Sequence, residues 1–263
     1  MFTSHFKMTD HPFSERIPLE GIVRDERMRQ GTARLNFLAQ HALIALITGL
    51  EGVGKSTLIR LFMNALGRNL YNPIYLHLTN VSALAFLKVL ANEMGEAPLR
   101  WKEKVLLQIL NKIKAADITT LFLIDQAHLL PSEALIDLNL LIGSAIDEID
   151  RLRIVLVGNS DLAKELKRSC HTTLRQKITV CYHVPPFSLE QTNQYIDGRM
   201  RRVGGSDKVF EPEVKKDIHE YSRGIPRLIN NIATACLINA AVNNSQKVNN
   251  TIFLQTLDEM PTF

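Results

Sequence analysis

The sequence predicts an α/β fold, a three-layer αβα sandwich around a mostly parallel sheet, followed by a small all-helical domain. Three observations carry this. Short apolar runs alternate with amphipathic helical stretches from about residue 25 to residue 184, the pattern of strands joined by crossover helices. After Pro185-Pro186 the strands stop and three helical stretches follow. Between the first apolar run and the next helix stands Gly49-Leu50-Glu51-Gly52-Val53-Gly54-Lys55-Ser56, a GxxxxGKS pattern.

The elements are justified in chain order. His11-Pro12-Phe13 and Ile17-Pro18 mark loops. Asp25 to Gln40 reads as a helix with Met28, Leu35 and Leu38 as its apolar positions, and Ala42 to Thr48 as a buried strand. Lys55 to Leu66 is a helix. Pro73 to Leu78 is a strand in which Tyr75 and His77 alternate with Ile74, Leu76 and Leu78. Ser82 to Met94 and Lys102 to Ala115 are helices, the second with Val105, Leu106, Ile109, Leu110 and Ile113 at helical spacing. Thr119 to Asp125 is a strand, and Ser132 to Ile146 a helix with Ser132 as its expected N-cap. Arg153 to Val157, Asp161 to Arg168 and Ile178 to Val184 complete the pattern as strand, helix and strand. Ser188 to Arg202, Glu211 to Tyr221 and Pro226 to Asn243 then form the all-helical unit. The expected division is residues 1–185 as a nucleotide-binding α/β domain with a short N-terminal segment, 186–243 as a helical lid and 244–263 as a C-terminal tail.

Bulk composition narrows the function classes. Apolar residues make up 46% of the 263, ordinary for a chain that buries a core. A net charge of +4 and a pI near 9.0 permit a nucleic-acid partner without requiring one. Three cysteines, Cys170, Cys181 and Cys236, do not make a disulfide scaffold, and Cys170-His171 and Cys181-x-His183 lack zinc-finger spacing. Residues 1–10 lack the apolar core of a secretory leader, and the apolar runs around Leu43–Leu46 and Leu121–Ile124 are too short to cross a bilayer. A cytoplasmic protein with no membrane association is expected.

The GxxxxGKS stretch carries the chemistry. Its glycines let backbone N–H groups of residues 49–54 wrap around phosphate oxygens, and the helix N-terminus adds a favourable dipole. Lys55 reaches the β and γ phosphates, the Ser56 hydroxyl sits on magnesium, and Thr57 packs or touches a phosphate. The cofactors implied are ATP and Mg2+, and the frame is that of a P-loop NTPase. Leu121-Phe122-Leu123-Ile124-Asp125 is a Walker B strand whose Asp125 holds magnesium directly or through water. Gln126 follows where most ATPases of this architecture carry a Glu that polarises the attacking water. Gln keeps the size and loses the basicity, so hydrolysis slowed by about 10²-fold or more is expected. A natural degenerate site and a Glu replaced to trap ATP both remain open. Asn159, at the end of the strand from Arg153, is placed to bond the water or the γ-phosphate. In Gly224-Ile225-Pro226-Arg227, Pro226 starts the last long helix and Arg227 points from its first turn.

Together these motifs resemble AAA+ ATPases. His5-Phe6…His11-Pro12-Phe13 and Leu174-Arg175-Gln176-Lys177-Ile178 more narrowly resemble the ExeA-like branch, which includes the transposition regulators TniB, TnsC and MuB. The resemblance covers residues 5 to about 243. It implies sensor 1 at Asn159 and sensor 2 at Arg227, and an arginine finger completing a neighbour's ATP site. Family members usually carry Arg where this chain has Lys177, and Arg175 two residues earlier could serve instead. It also implies a homo-oligomeric ring or filament with double-stranded DNA in its channel, bound with little sequence preference. Arg100, Lys102 and Lys104 are the candidate DNA contacts, and Lys164, Lys167 and Arg168 a solvated face or subunit contact. The leading expectation is a slow ATPase that assembles on DNA and recruits a transposase, with a target-selection protein as a further partner. The alternatives are an ExeA-like ATPase of secretion-system assembly and a small-molecule P-loop kinase.

Overall fold

The computed structural model describes residues 2–15, 17–77, 80–146 and 151–260. The expected strand end Leu78 lies outside them. The chain divides into two compact units.

One unit comprises Glu26–Gly49 and Lys55–Val184. It is built on a five-stranded, all-parallel sheet of β1 (Ile44–Thr48), β2 (Tyr71–His77), β3 (Thr119–Asp125), β4 (Leu152–Gly158) and β5 (Ile178–His183). The spatial order is β2-β3-β4-β1-β5. Every residue of β4 is buried, as are six of the seven in β3, which suits central strands covered on both faces. Its helices follow the predicted positions within a residue or two: α2 (Glu26–His41), α3 (Lys55–Ala65), α4 (Ala83–Glu93), α5 (Lys102–Ala115) and α6 (Ser132–Ile146). Two shorter helices, α7 (Ser160–Glu165) and α8 (Thr172–Gln176), follow β4. Phe86, Phe122, Ile124, Leu138 and Leu156, none of them exposed, form the centre of its core.

Ser132 is not the cap it was expected to be. It is the first residue of α6, and its hydroxyl is bonded to His171 Nε2 at 2.7 Å. Side-chain caps are instead made by Ser82 on α4 and Asn159 on α7.

The second unit comprises Met1–Asp25, Leu50–Gly54 and Pro185–Phe263. Its helices are α1 (Phe2–His5), α9 (Leu189–Arg202), α10 (Pro212–Ser222), α11 (Pro226–Val242) and α12 (Asn250–Glu259). Ser188 starts α9 with a full capping box, in which Gln191 answers. This grouping departs from the expected boundaries at both ends. The N-terminal segment packs here because Arg199, 1% exposed, donates from Nε to Pro12 O at 2.5 Å and from Nη2 to Ser14 O at 2.7 Å. Phe6 and Phe13 complete the anchorage inside the same core. Burying each side chain contributes about 2–3 kcal/mol. The stretch expected to be a tail instead forms α12, which buries Ile252 and Phe253 in that core.

Candidate nucleotide site

Positions 49–54 join β1 to α3. Val53 is wholly buried while Leu50 is half exposed. Gly52 has φ +79, a left-handed conformation that favours glycine. Lys55, 7% exposed at the first position of α3, donates from Nζ to Gly49 O at 2.9 Å.

Ser56 and Asp125 meet although 69 positions separate them. The Ser56 hydroxyl donates to Asp125 Oδ2 at 2.6 Å. Asp125 ends β3 and is 1% exposed. The Tyr75 hydroxyl, from β2, donates to the same oxygen at 2.9 Å, and the Gln126 N–H donates to Oδ1 at 2.8 Å. Burial, the Asp125 charge and the hydrogen bond to it push the Tyr75 phenol well above its ordinary value, so it stays a donor. His77 stands opposite Asp125 in the β2–β3 register, its Nδ1 3.8 Å from Oδ2. A hydroxyl and a carboxylate in contact are hard oxygen donors of the kind Mg2+ takes. Sequence reasoning missed Tyr75 and His77. The signal available was their shared face on a strand that ends level with the Walker B strand.

Gln126 takes a left-handed backbone, φ 59 and ψ 32, as the chain leaves β3 for a 3₁₀ turn. Its half-buried side chain has the place of the expected glutamate. Asn159 follows β4 and caps α7, its Oδ1 accepting from Asp161 N at 2.8 Å. That leaves the amide NH2 as the group it offers a phosphate or water.

In the helical unit, Gly224 has φ +70, and a Cβ there would lie 2.1 Å from Phe187 O. Only glycine fits. Pro226 and Arg227 open α11. Arg227 is exposed, 3.9 Å from Glu15, and its backbone N–H donates to Gly52 O at 3.3 Å.

The two candidate finger residues differ in surroundings. Arg175, on α8, is exposed, with a long 3.4 Å contact from Nη1 to Lys167 O. Lys177 is half-buried and donates from Nζ to Asn139 Oδ1 at 3.0 Å; burial lowers its pKa. The basic cluster beside them is partly paired, Lys164 with Asp161 and Arg168 with Glu165, both at 2.8 Å.

Among the three candidate DNA contacts, Lys102 needs correction. Its ammonium lies 2.6 Å from Glu133 and 2.9 Å from Asp137, which ties α5 to α6. Burial lowers its pKa, and the two carboxylates outweigh that and raise it. A cation held this way has little to give a phosphate. Arg100 and Lys104 remain exposed, the former with its guanidinium 5.0 Å from the ring of the exposed Trp101. Lys104 lines a shallow groove of about 610 Å³ with Leu99 and Leu107.

A protein-family model described as an AAA domain matches residues 38–166. General secretion pathway protein A of Aeromonas hydrophila is 30% identical over 258 residues, 94% of this chain and 46% of that protein. The chain thus spans less than half the length of this curated relative. Among solved structures, Cdc6p of Pyrobaculum aerophilum is similar with a TM-score of 0.74 at 16% identity, over 96% of this chain and 71% of that one. The Aeropyrum pernix ORC1 protein, solved in complex with DNA, is similar with a TM-score of 0.69 at 16% identity, over 94% and 66%. At such identities the likeness is one of fold. Among the described residues, no helix is long and apolar enough to cross a membrane.

Proposed function

We propose, from a P-loop NTPase fold whose residues 38–166 match the AAA-domain model, that this chain is a Mg-ATP-dependent switch that assembles on duplex DNA and regulates transposition. The 2.6 Å bond between Ser56 and Asp125 carries the nucleotide part of this reading, because it brings the loop serine and the Walker B carboxylate together. Ser56 and Asp125 would hold Mg2+, which supplies charge neutralisation on the phosphates. Lys55 and the backbone of residues 49–54 would grip the phosphate chain, with Thr57 beside them and Asn159 and Arg227 as sensors.

Gln126 cannot take a proton from water, so binding would outlast cleavage. Assembly needs only binding, and the expected product is a persistent ring or filament. Arg175 is the better candidate for the group that completes a neighbour's site, since Lys177 is spent on Asn139. Arg100 and Lys104, exposed at the start of α5, are the candidate phosphate contacts. A transposase, with a target-selection protein, is the proposed recipient of the assembled state.

A second reading rests on one specific observation, the 30% identity to General secretion pathway protein A. In it the same switch would serve assembly of a secretion machine.

Electron microscopy and fluorescence anisotropy with ATP and duplex DNA test the first reading. Nucleotide-dependent binding and ordered assemblies on DNA are expected. ATP binding without DNA affinity at low salt would reject it in favour of the second. Transfer of phosphate to a small acceptor would reject both.

A further inference from the structure

We propose that Tyr75 is a positioning residue for the metal-binding carboxylate, holding Asp125 in the orientation that receives Mg2+. The inference rests on the Mg-ATP reading above and adds to it a residue outside the nucleotide motifs.

The argument begins with the carboxylate. Asp125 is 1% exposed, so water contributes little to fixing its two oxygens. Among the described residues three hydrogen-bond donors do so, with His77 Nδ1 a further 3.8 Å from Oδ2. The Gln126 N–H holds Oδ1, while the Ser56 and Tyr75 hydroxyls both hold Oδ2. The first is backbone and survives substitution of Tyr75. Ser56 is itself a metal ligand in the proposed site, so its orientation is set by the ion. Tyr75 is neither backbone nor a ligand of the ion in the proposed site. It is anchored on β2, whose seven residues pair in continuous parallel register with β3, from Tyr71 opposite Thr119 to His77 opposite Asp125. The phenol therefore comes from a rigid neighbouring strand, and it reaches forward two positions to the end of β3.

Phenylalanine at this position would keep the ring and leave Oδ2 with one donor fewer. The carboxylate would gain torsional freedom about χ2, and the orientation competent for the metal would be a smaller share of its population. Contacts that orient a ligand without touching the metal change metal affinity by about 10–100-fold when removed.

The test uses the full chain and a fluorescent N-methylanthraniloyl ATP, titrated with and without Mg2+. For Tyr75→Phe the expected result is nucleotide affinity in EDTA within about twofold of wild type, with the Mg2+ midpoint raised about tenfold or more. The Mn2+ electron paramagnetic resonance spectrum of the nucleotide complex should broaden. Tyr75→Leu, which removes the ring as well, separates packing from positioning. It should lower the melting temperature, whereas Tyr75→Phe should not. An unchanged or lower Mg2+ midpoint in Tyr75→Phe overturns the proposal, as does an equal loss of affinity with and without Mg2+. Wild-type protein that binds no nucleotide at any Mg2+ concentration would instead overturn the ATP reading itself.

Discussion

Arg227 and Gly52 touch through their backbones, the Arg227 N–H donating to the Gly52 carbonyl at 3.3 Å. The contact is close enough to leave no room for a side chain. A Cβ at Gly52 would lie 2.7 Å from Arg227 Cβ, and the φ of +79 is already costly for any L-residue. Gly52→Ala is therefore expected to strain the loop by about 1–3 kcal/mol. Fluorescent ATP binding should weaken by about tenfold or more. Arg227→Ala retains Cβ and should not rescue it. Full affinity in Gly52→Ala would show that the approach is dispensable.

Lys102 and Asp137 make the next prediction, and its sign depends on pH. Burial raises the Asp137 pKa, and the hydrogen bond and charge of Lys102 only partly oppose this. A carboxyl raised in the folded state favours folding at pH below its ordinary value, and that contribution is lost as pH rises through the raised value. Lys102→Met leaves the ionised Asp137, 3% exposed, without its cation. At pH 7 the loss should be about 1–3 kcal/mol, below the full cost of breaking a buried pair because the lysine is partly exposed. Near pH 3 the loss should shrink, since Asp137 is then protonated in both variant and wild type. Lys102→Met/Asp137→Leu should recover most of the stability. Chemical denaturation at the two pH values reads all of this. The salt dependence of DNA binding should be unchanged by Lys102→Met, whereas Arg100→Ala and Lys104→Ala should each lower its slope by about one.

Much of this was legible in the sequence, and what was hidden has a common cause. Strand and helix positions follow from local periodicity, so β3 and α5 end where the apolar spacing ends. The nucleotide motifs are contiguous and equally local. Tyr75 reaching Asp125 depends on the register of two strands some fifty residues apart. The partners of Lys102 lie on another helix, 31 and 35 positions away. Arg199 binds carbonyls of residues 12 and 14, 187 and 185 positions away, and this places the N-terminal segment in the helical unit. Spacing within a segment carries no record of such pairings. α8 escaped notice for another reason, since five residues are too few to show a helical period.

Gln126→Glu should raise ATP turnover by about 10²-fold, the scale of a restored general base. The position is suited to it. The N–H of residue 126 is fixed on Asp125 Oδ1, and its side chain leaves a left-handed backbone immediately after β3. ATP affinity should change little, because Ser56, Lys55 and Asp125 are untouched. A phosphate-release assay measures the first quantity and equilibrium binding the second. No gain in turnover would mean that residue 126 does not face the water in the assembled state.

The Gln126→Glu form also allows Arg175 and Lys177 to be separated, since it makes loss of turnover measurable. Arg175 is exposed and, among the described residues, makes only a long contact to Lys167 O, so its planar, five-donor guanidinium is available to a second subunit. Lys177 gives its ammonium to Asn139 on α6, and a Cβ at Gly143 would come within 3.7 Å of Nζ. Arg175→Ala in this background should lower turnover by about 10³-fold, the lower end for a group supplied in trans to a phosphoryl transition state. ATP affinity should be retained. Lys177→Ala should lower the melting temperature and leave turnover within a few fold. Mixing supplies the decisive arm. Arg175→Ala subunits combined with Lys55→Ala subunits, each inactive alone, should regain activity at mixed interfaces. There an intact Arg175 meets an intact nucleotide loop. Failure of the mixture, with both proteins folded and able to co-assemble, would mean that Arg175 acts within its own subunit or has no part in the reaction.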